Sequence, residues 1–163
     1  MEDDIVDELL NQWAIERPNM NVSSLGIVVR VQLLAKLLQQ RTDDALKRHG
    51  LKHWEYDVLS VLRRQGGNFE MPATEIARAA MLTTGAMTTR VDGLVQRGLV
   101  RRRRSDHDRR SVLVRLTPKG KRVVNAAIES RLEDANKALA RIPVKERKQM
   151  AESLKHLLLS VEN

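Results

Sequence analysis

Apolar residues recur at every third or fourth position along most of this chain, which is the spacing of an amphipathic α-helix. The pattern predicts a short helix over residues 4–13, and Pro18 ends this segment because proline disfavours helix at the residue before it. A longer helix is predicted from residue 22 to about residue 49, with Gly50 closing it. Since apolar residues cover much of its circumference, we expect it to pack against more than one neighbour.

Three shorter helices are predicted in the middle of the chain. The first covers residues 54–64, and the second covers residues 73–80 after a proline, which a helix start tolerates. The third covers residues 83–96, with Thr83 as its N-cap. A short helix, a tight turn and a second helix are typical of a helix-turn-helix.

The period of the pattern then changes to two. Residues 99–104 and 111–116 predict two short strands, and the polar residues 105–110 predict the loop of a β-hairpin between them. Thr117 and Pro118 next start a long helix, as its N-cap and its first residue. A last amphipathic helix follows to the end of the chain.

The order of elements predicts a mainly α fold with a small β-hairpin, that is, a winged helix-turn-helix with N- and C-terminal helices that form a dimerisation region. We interpret residues 1–163 as a single domain. Residues 51–116 are its DNA-binding lobe, residues 22–49 and 117–162 are dimerisation helices, and residues 1–17 are an extra N-terminal helix. The apolar faces of the long helices exceed what the small lobe needs for its own core, which favours a homodimer.

Charge is distributed unevenly along the chain. The net charge is +8, and residues 97–122 alone carry eleven Lys or Arg and two Asp, whereas residues 1–20 carry six acids and one Arg. A basic block on a nearly neutral body is the pattern expected of a protein that binds the phosphate backbone of double-stranded DNA. A solvated charged face is the alternative interpretation of such a run.

Composition excludes several classes of protein. The chain has no cysteine, which excludes a disulfide scaffold and any thiolate metal site. No apolar run reaches the roughly 18–20 residues that span a bilayer. The acidic N-terminus fits neither a secretory signal nor a transit peptide, so we expect a cytoplasmic protein without a membrane partner. The four histidines lack metal-ligand spacing, so no metal and no cofactor are expected.

Residues 106–120 (DHDRRSVLVRLTPKG) resemble the wing signature of MarR-type transcriptional regulators. Residues 82–88 (LTTGAMT) and 94–100 (LVQRGLV) resemble the start and the exit of that family's recognition helix. The resemblance extends over roughly residues 25–160 and implies a dimeric winged helix-turn-helix that regulates transcription.

The predicted recognition helix carries the side chains that a major-groove contact needs. Small polar residues at its N-terminal turn reach base edges and phosphates, and a glycine permits close approach. The candidates are Thr83, Thr84, Gly85, Thr88 and Thr89.

The predicted wing carries a second set of candidates. The resemblance places Arg110 in the minor groove, with Asp108 orienting its guanidinium, and an arginine in a narrow minor groove reads shape more than sequence. The run from Arg101 to Arg104 is expected to serve the phosphate backbone. An exposed ion pair is the alternative interpretation of Asp108 and Arg110.

The extra N-terminal helix with Trp13, together with Asp57 and Arg90, resembles the urate-responsive subgroup of the family, the PecS- and HucR-like proteins. The resemblance implies that Trp13, Asp57 and Arg90 form or gate a site for urate or a xanthine-like purine. An indole offers a stacking surface to a flat purine, and a guanidinium offers paired donors to its anionic edge. We expect Asp57 to hold Arg90 in an ion pair while the site is empty, and a bound anion to shift Arg90 with the recognition helix.

Each of these three residues also has a structural interpretation: Trp13 can anchor its helix, Asp57 can pair locally, and Arg90 can contact a phosphate. The sequence therefore favours a homodimeric repressor that binds a palindromic operator and is released by urate or a related purine. The alternatives are a MarR-type regulator of another small anionic aromatic (phenolic) effector, or a non-specific architectural DNA-binding protein. An enzyme acting on purines is disfavoured, because the chain shows no catalytic motif.

Overall fold

A computed structural model of the chain describes residues 2–80, 84–104 and 112–162. The chain divides into two compact units, Met1–Asp44 and Ala45–Asn163. In the described part of the chain, no helix combines the length and the apolar character needed to cross a membrane.

The predicted helices and the two predicted strands occur in the predicted order among the described residues. The described elements are α1 (Ile5–Glu16), α2 (Ser23–Lys47), α3 (His53–Arg64), β1 (Glu70–Pro72), α4 (Ala73–Ala79), α5 (Thr84–Gln96), β2 (Val100–Arg104), β3 (Val112–Leu116), α6 (Pro118–Ala138) and α7 (Val144–Glu162). The mainly α fold with a small β element is confirmed.

In the first unit, α1 contacts α2 through a few side chains. The Asp4 carboxylate accepts hydrogen bonds from the backbone N–H groups of Val6 and Asp7, which caps α1, and the Asp7 carboxylate accepts one from the Asp4 N–H. Val6 is buried. Leu10 of α1 lies against Gly26 of α2, and a Cβ added to Gly26 would be 3.3 Å from Cδ1 of Leu10. A side chain at Gly26 would therefore crowd Leu10.

Arg30 of α2 joins the capped end of α1 to α2. Its guanidinium donates to the carboxylates of Asp4 at 2.8 Å and Asp7 at 2.7 Å. The hydrogen bond from Arg30 is the largest cause that lowers the pKa of Asp4, to about 2 from an ordinary 3.8. The two acids and one arginine thus form an ion-pair cluster at the start of the chain.

We expect acid to weaken this cluster over a defined range of pH. Because the folded pKa of Asp4 lies below the unfolded value, its contribution to stability is present above pH 3.8 and is lost as the pH falls through about 2. Titrating the Asp4 carboxyl carbon by NMR measures this pKa directly. Arg30→Gln is expected to return the pKa toward its ordinary value, and an ordinary pKa in the wild type would contradict the prediction.

The second unit is built around one apolar core. The end of α2, α3, α4, α5, the strands and α6 all contribute to it. Its largest fully buried side chains are Leu46, Val58, Leu59, Leu62, Ile76, Val91, Leu94, Leu99, Val100, Val114 and Val124.

The β element is a three-stranded antiparallel sheet in the order β1-β3-β2, rather than only the predicted hairpin of β2 and β3. Met71 of β1 pairs with Val114 of β3, and Arg102 of β2 pairs with the same residue. The prediction missed β1 because a three-residue strand that ends in a proline has no alternating pattern to detect.

Apolar side chains of α2 and α7 remain exposed in the single chain. No described residue of α7 is buried, and most apolar side chains of α2 are exposed, so packing of α2 against more than one neighbour stays a prediction. The exposed residues include Ile27, Leu34, Leu37 and Leu38 of α2 and Leu154, Leu158, Leu159 and Val161 of α7. Surfaces of this kind are commonly covered by another protein chain.

Candidate functional site

Helix α5 presents one apolar and one polar face. Met87, Val91 and Leu94 are buried in the core at a spacing of three or four residues. This packing leaves the predicted contact residues Thr88 and Thr89 exposed to solvent. The orientation is the one that a recognition helix requires.

The other predicted contact residues lie at the edges of the described structure. Thr84 and Gly85 belong to the first turn of α5. Thr83, Asp108 and Arg110 lie outside the described residues. Their contacts with DNA remain predictions.

Arg102 of β2 joins the sheet to α5. Its guanidinium donates to the Asp92 carboxylate at 2.5 Å and to the backbone carbonyl of Thr88 at 2.8 Å. These bonds fix the sheet against the turn of α5 that carries the exposed threonines. The protein's own acceptors thus take up part of the hydrogen-bonding capacity of Arg102, and its contact with phosphate stays a prediction.

The remaining arginines of β2 divide into two kinds. Arg103 donates two hydrogen bonds to the Glu70 carboxylate, at 2.8 and 2.9 Å, so it too is engaged within the protein. Arg101 and Arg104 are exposed, and among the described residues their side chains make no hydrogen bond or ion pair. Arg104 lies at the end of β2 that leads into the predicted wing loop, as a phosphate contact requires.

The opposite end of α5 is held by a buried carboxylate. Glu55 is only 3% exposed, and it accepts hydrogen bonds from the Arg97 guanidinium. Arg97 also donates to the Gly50 carbonyl, and Glu55 accepts the Lys52 N–H at the start of α3. A buried charge must be paired to be tolerated, so this contact fixes the exit of α5 against α3.

A cavity of about 610 Å³ lies between α3, the end of α4 and α6. Its ionisable lining comprises His53, Tyr56, Asp57, Arg64 and Arg131, and Ser60 and apolar side chains complete the wall. Two arginines against one carboxylate make the cavity suitable for an anion. Its volume accommodates a small planar molecule.

Asp57 lies in this cavity and is half-buried. Burial is the largest influence on its pKa and raises it, while His53, Arg131, Arg64 and Arg90 act in the opposite direction. The Nε2 of His53 lies 3.9 Å from the Asp57 carboxylate. Burial thus disfavours the ionised carboxylate that a bound anion would also repel.

Arg90 lies over the Trp54 ring, with its guanidinium carbon 5.4 Å from the ring centroid. One of its nitrogens, Nη1, is buried without a hydrogen-bond partner among the described residues. The predicted ion pair with Asp57 is not formed in the described structure, because Arg90 packs on the indole while Asp57 faces His53. An unpaired buried guanidinium nitrogen is costly and marks a place where an acceptor is missing.

Trp13, the third member of the predicted triplet, belongs to the first unit. It lies on α1 and is 41% exposed. Asp57 and Arg90 both belong to the second unit, where Asp57 lines the cavity and Arg90 is close enough to lower its pKa.

Arg64 is one of four ionisable cavity residues that the sequence did not mark as candidates, together with His53, Tyr56 and Arg131. Arg64 lies seven residues after Asp57 in α3, which is two helical turns and therefore the same face. That spacing was the available signal. An arginine near the end of an amphipathic helix is common on solvated faces, and so it did not stand out.

Comparison with known proteins identifies the family of this chain. The sequence profile of the MarR family matches residues 49–111. The chain is 30% identical over 135 residues to the HTH-type transcriptional regulator PecS of Dickeya dadantii (strain 3937), which covers 83% of this chain and 81% of that protein.

Two solved structures share the fold. AbsC, a MarR family transcriptional regulator from Streptomyces coelicolor, matches with a TM-score of 0.78 at 17% identity, over 88% of this chain and 97% of its own. Sco3205, a MarR family regulator of the same organism solved in complex with DNA, matches with a TM-score of 0.76 at 23% identity, over 85% of this chain and 88% of its own. These relatives are regulators and not enzymes. The chain therefore belongs to the MarR family of DNA-binding transcriptional regulators.

Proposed function

We propose that this regulator is a homodimeric repressor that binds a palindromic operator and is released by urate or a related purine. The observation that carries the effector assignment is the buried Arg90 nitrogen without a partner among the described residues, together with a cavity that Asp57, Arg64 and Arg131 line and the influence of Arg90 on the pKa of Asp57. A flat anionic purine offers the acceptor atoms that such a nitrogen lacks.

The DNA-binding surface combines α5 with the wing. The hydroxyls of α5 contact the major groove, and the wing contacts the phosphate backbone and the minor groove. The residues that we assign to it are Thr83, Thr84, Gly85, Thr88, Thr89, Arg104, Asp108 and Arg110. The exposure of Thr88 and Thr89 and the position of Arg104 support this assignment.

Dimerisation is supported by the exposed apolar faces of α2 and α7. A second copy of the chain covers such faces with two-fold symmetry, and a two-fold dimer presents two copies of α5 to the two halves of a palindrome.

Coupling between effector and DNA follows from the position of Arg90. It lies directly after Thr88 and Thr89 on the same helix. An anion that draws the Arg90 guanidinium toward the cavity displaces α5 and its threonines together. Release requires that urate bind the displaced arrangement more tightly than the DNA-bound one.

Arg104 is expected to contribute one phosphate contact that carries no sequence information. We predict that Arg104→Gln weakens binding to operator and random duplex alike. The plot of log affinity against log salt concentration, which falls with salt, should become less steep by about 0.9. Fluorescence anisotropy over a range of salt concentrations measures that slope. Arg141→Gln, which removes an exposed arginine between α6 and α7, is the matched control, and equal slopes for the two variants would contradict the assignment.

Asp57 is expected to oppose anion binding when it is ionised. Its pKa is raised by burial and rises further beside a bound anion, so binding takes up a proton and weakens with rising pH. At about pH 8, we predict that Asp57→Asn releases DNA at a roughly 3- to 10-fold lower urate concentration than the wild type. Unchanged release in this variant would show that Asp57 does not face the effector.

Direct binding of urate to the DNA-free protein tests the effector assignment. We expect saturable binding by calorimetry, with weaker binding in Arg64→Gln and no change in Arg141→Gln, an exposed arginine outside the cavity. Saturable binding of salicylate together with no binding of urate would instead assign the cavity to a phenolic effector.

A further inference from the structure

A second cationic cavity lies on the outer face of the sheet. Successive residues of a strand point to opposite faces, so Arg101 and Arg103 lie opposite to Arg102, which reaches α5. The face that carries Arg101 is therefore not the face that meets the recognition helix.

The strand register places like charges side by side on that outer face. Arg101 of β2 is directly opposite Arg115 of β3, and Glu70 of β1 is directly opposite Arg115 on its other side. Like charges at directly opposed positions destabilise a sheet. The pairing of Arg101 with Arg115 thus opposes folding unless something else compensates for it.

The one carboxylate in this row does not compensate the pair. Glu70 accepts two hydrogen bonds from Arg103 and its side chain is only 11% exposed, so its charge is already matched. Among the described residues, neither Arg101 nor Arg115 has a side-chain hydrogen bond or ion pair.

These two arginines line a cavity of about 350 Å³ at the start of α6. Lys121 of α6, Thr117 and Phe69 also line it, and no carboxylate is among the lining residues that the structure describes. Lys121 Nζ lies 4.4 Å from the centroid of the Phe69 ring. The N-terminus of the long helix α6 adds its positive dipole end to the three cations.

Phe69 is held at this cavity by a strained backbone. Its φ of +54° is uncommon for a residue with a side chain, and it is maintained by hydrogen bonds from the Phe69 N–H to Gly66 and from the Leu116 N–H to Phe69. The fold therefore keeps an aromatic ring beside the three cations at an energetic cost.

We propose that this cavity binds the phosphate group of a small phosphorylated molecule, at a site distinct from both the DNA-binding surface and the urate cavity. Two arginines with free donors match the oxygens of a phosphate, and Lys121 adds a third positive charge. The outer face of the sheet favours a free ligand over the DNA backbone, because the recognition helix lies against the other face.

Calorimetry with pyrophosphate at constant ionic strength tests the proposal. We expect saturable binding that weakens roughly tenfold or more in Arg115→Gln and in Lys121→Gln. Arg122→Gln removes an exposed cation from α6 outside the cavity lining and is expected to bind like the wild type. Thermal melts of all four proteins show whether each variant is folded.

DNA binding by the same variants distinguishes the two sources of phosphate. The proposal predicts that Arg115→Gln leaves the affinity and salt slope for random duplex unchanged. Absence of saturable pyrophosphate binding, or equal binding by Arg115→Gln and Arg122→Gln, would overturn the proposal. A reduced salt slope in Arg115→Gln would also overturn it, because it would assign the cavity to the DNA backbone.

Discussion

Replacing Gly120 with alanine is expected to destabilise the protein by about 3 kcal/mol or more. A Cβ on Gly120 would lie 1.9 Å from the Leu99 carbonyl oxygen and 2.9 Å from its carbonyl carbon. Both atoms belong to the backbone, so no rotation of a side chain can remove the overlap. The first turn of α6 would have to move away from the start of β2.

The surrounding hydrogen bonds explain why such a movement is costly. The Thr117 side chain accepts the Gly120 N–H and donates to the Gly98 carbonyl, and the Thr117 N–H donates to Leu99. Displacing α6 breaks this set together with the packing of Val124 in the core. We expect a lower urea midpoint and loss of DNA binding at temperatures where the variant unfolds.

Gly93→Ala is the matched control for this prediction. Gly93 lies inside α5, and a Cβ there would meet no atom within 4 Å among the described residues. We expect this variant to be more stable than the wild type by roughly 0.5–1 kcal/mol, because alanine favours helix over glycine. Equal stability of Gly120→Ala and wild type would contradict the close packing of α6 on Leu99.

Replacing Arg90 with glutamine is expected to abolish most of the response to urate. The guanidinium supplies charge-assisted hydrogen bonds that an amide cannot replace, so the urate concentration that releases DNA should rise roughly 10- to 100-fold. In the absence of urate, the variant should still bind the operator through the exposed threonines of α5. Anisotropy of labelled operator, titrated with urate, measures both quantities.

The structural alternative for Arg90 is a phosphate contact, and the same titrations separate the two roles. A phosphate contact predicts weaker DNA binding without urate and an unchanged release concentration. Arg141→Gln controls for the loss of one positive charge. Equal behaviour of Arg90→Gln and wild type, with and without urate, would contradict the effector site.

Long elements with a regular period could be predicted from the sequence. The helices α2, α6 and α7 each offer many turns of apolar spacing, and Thr117 with Pro118 marks the start of α6 by local chemistry alone. The short strand β1 offers three residues and a proline, so only its pairing with β3 reveals it.

Side-chain partners were harder to predict than elements. The sequence identified Asp57 and Arg90 as a pair through a resemblance, but it could not show that His53 lies beside the acid and Trp54 lies beside the arginine. Arg101 and Arg102 are adjacent and chemically identical. Only the register of the sheet shows that Arg101 lines a cavity whereas Arg102 is hydrogen-bonded to α5.

Urate-dependent release of operator DNA is the measurement that we would make first. Duplex from upstream of the gene that encodes this protein is labelled and followed by fluorescence anisotropy at fixed salt, with scrambled duplex as the control. Urate, xanthine and salicylate are each titrated into the complex. We predict tight binding that is selective for the operator and is reversed by urate. Selective binding that urate leaves unchanged would contradict the urate assignment, and equal binding to both duplexes would contradict the operator-specific repressor.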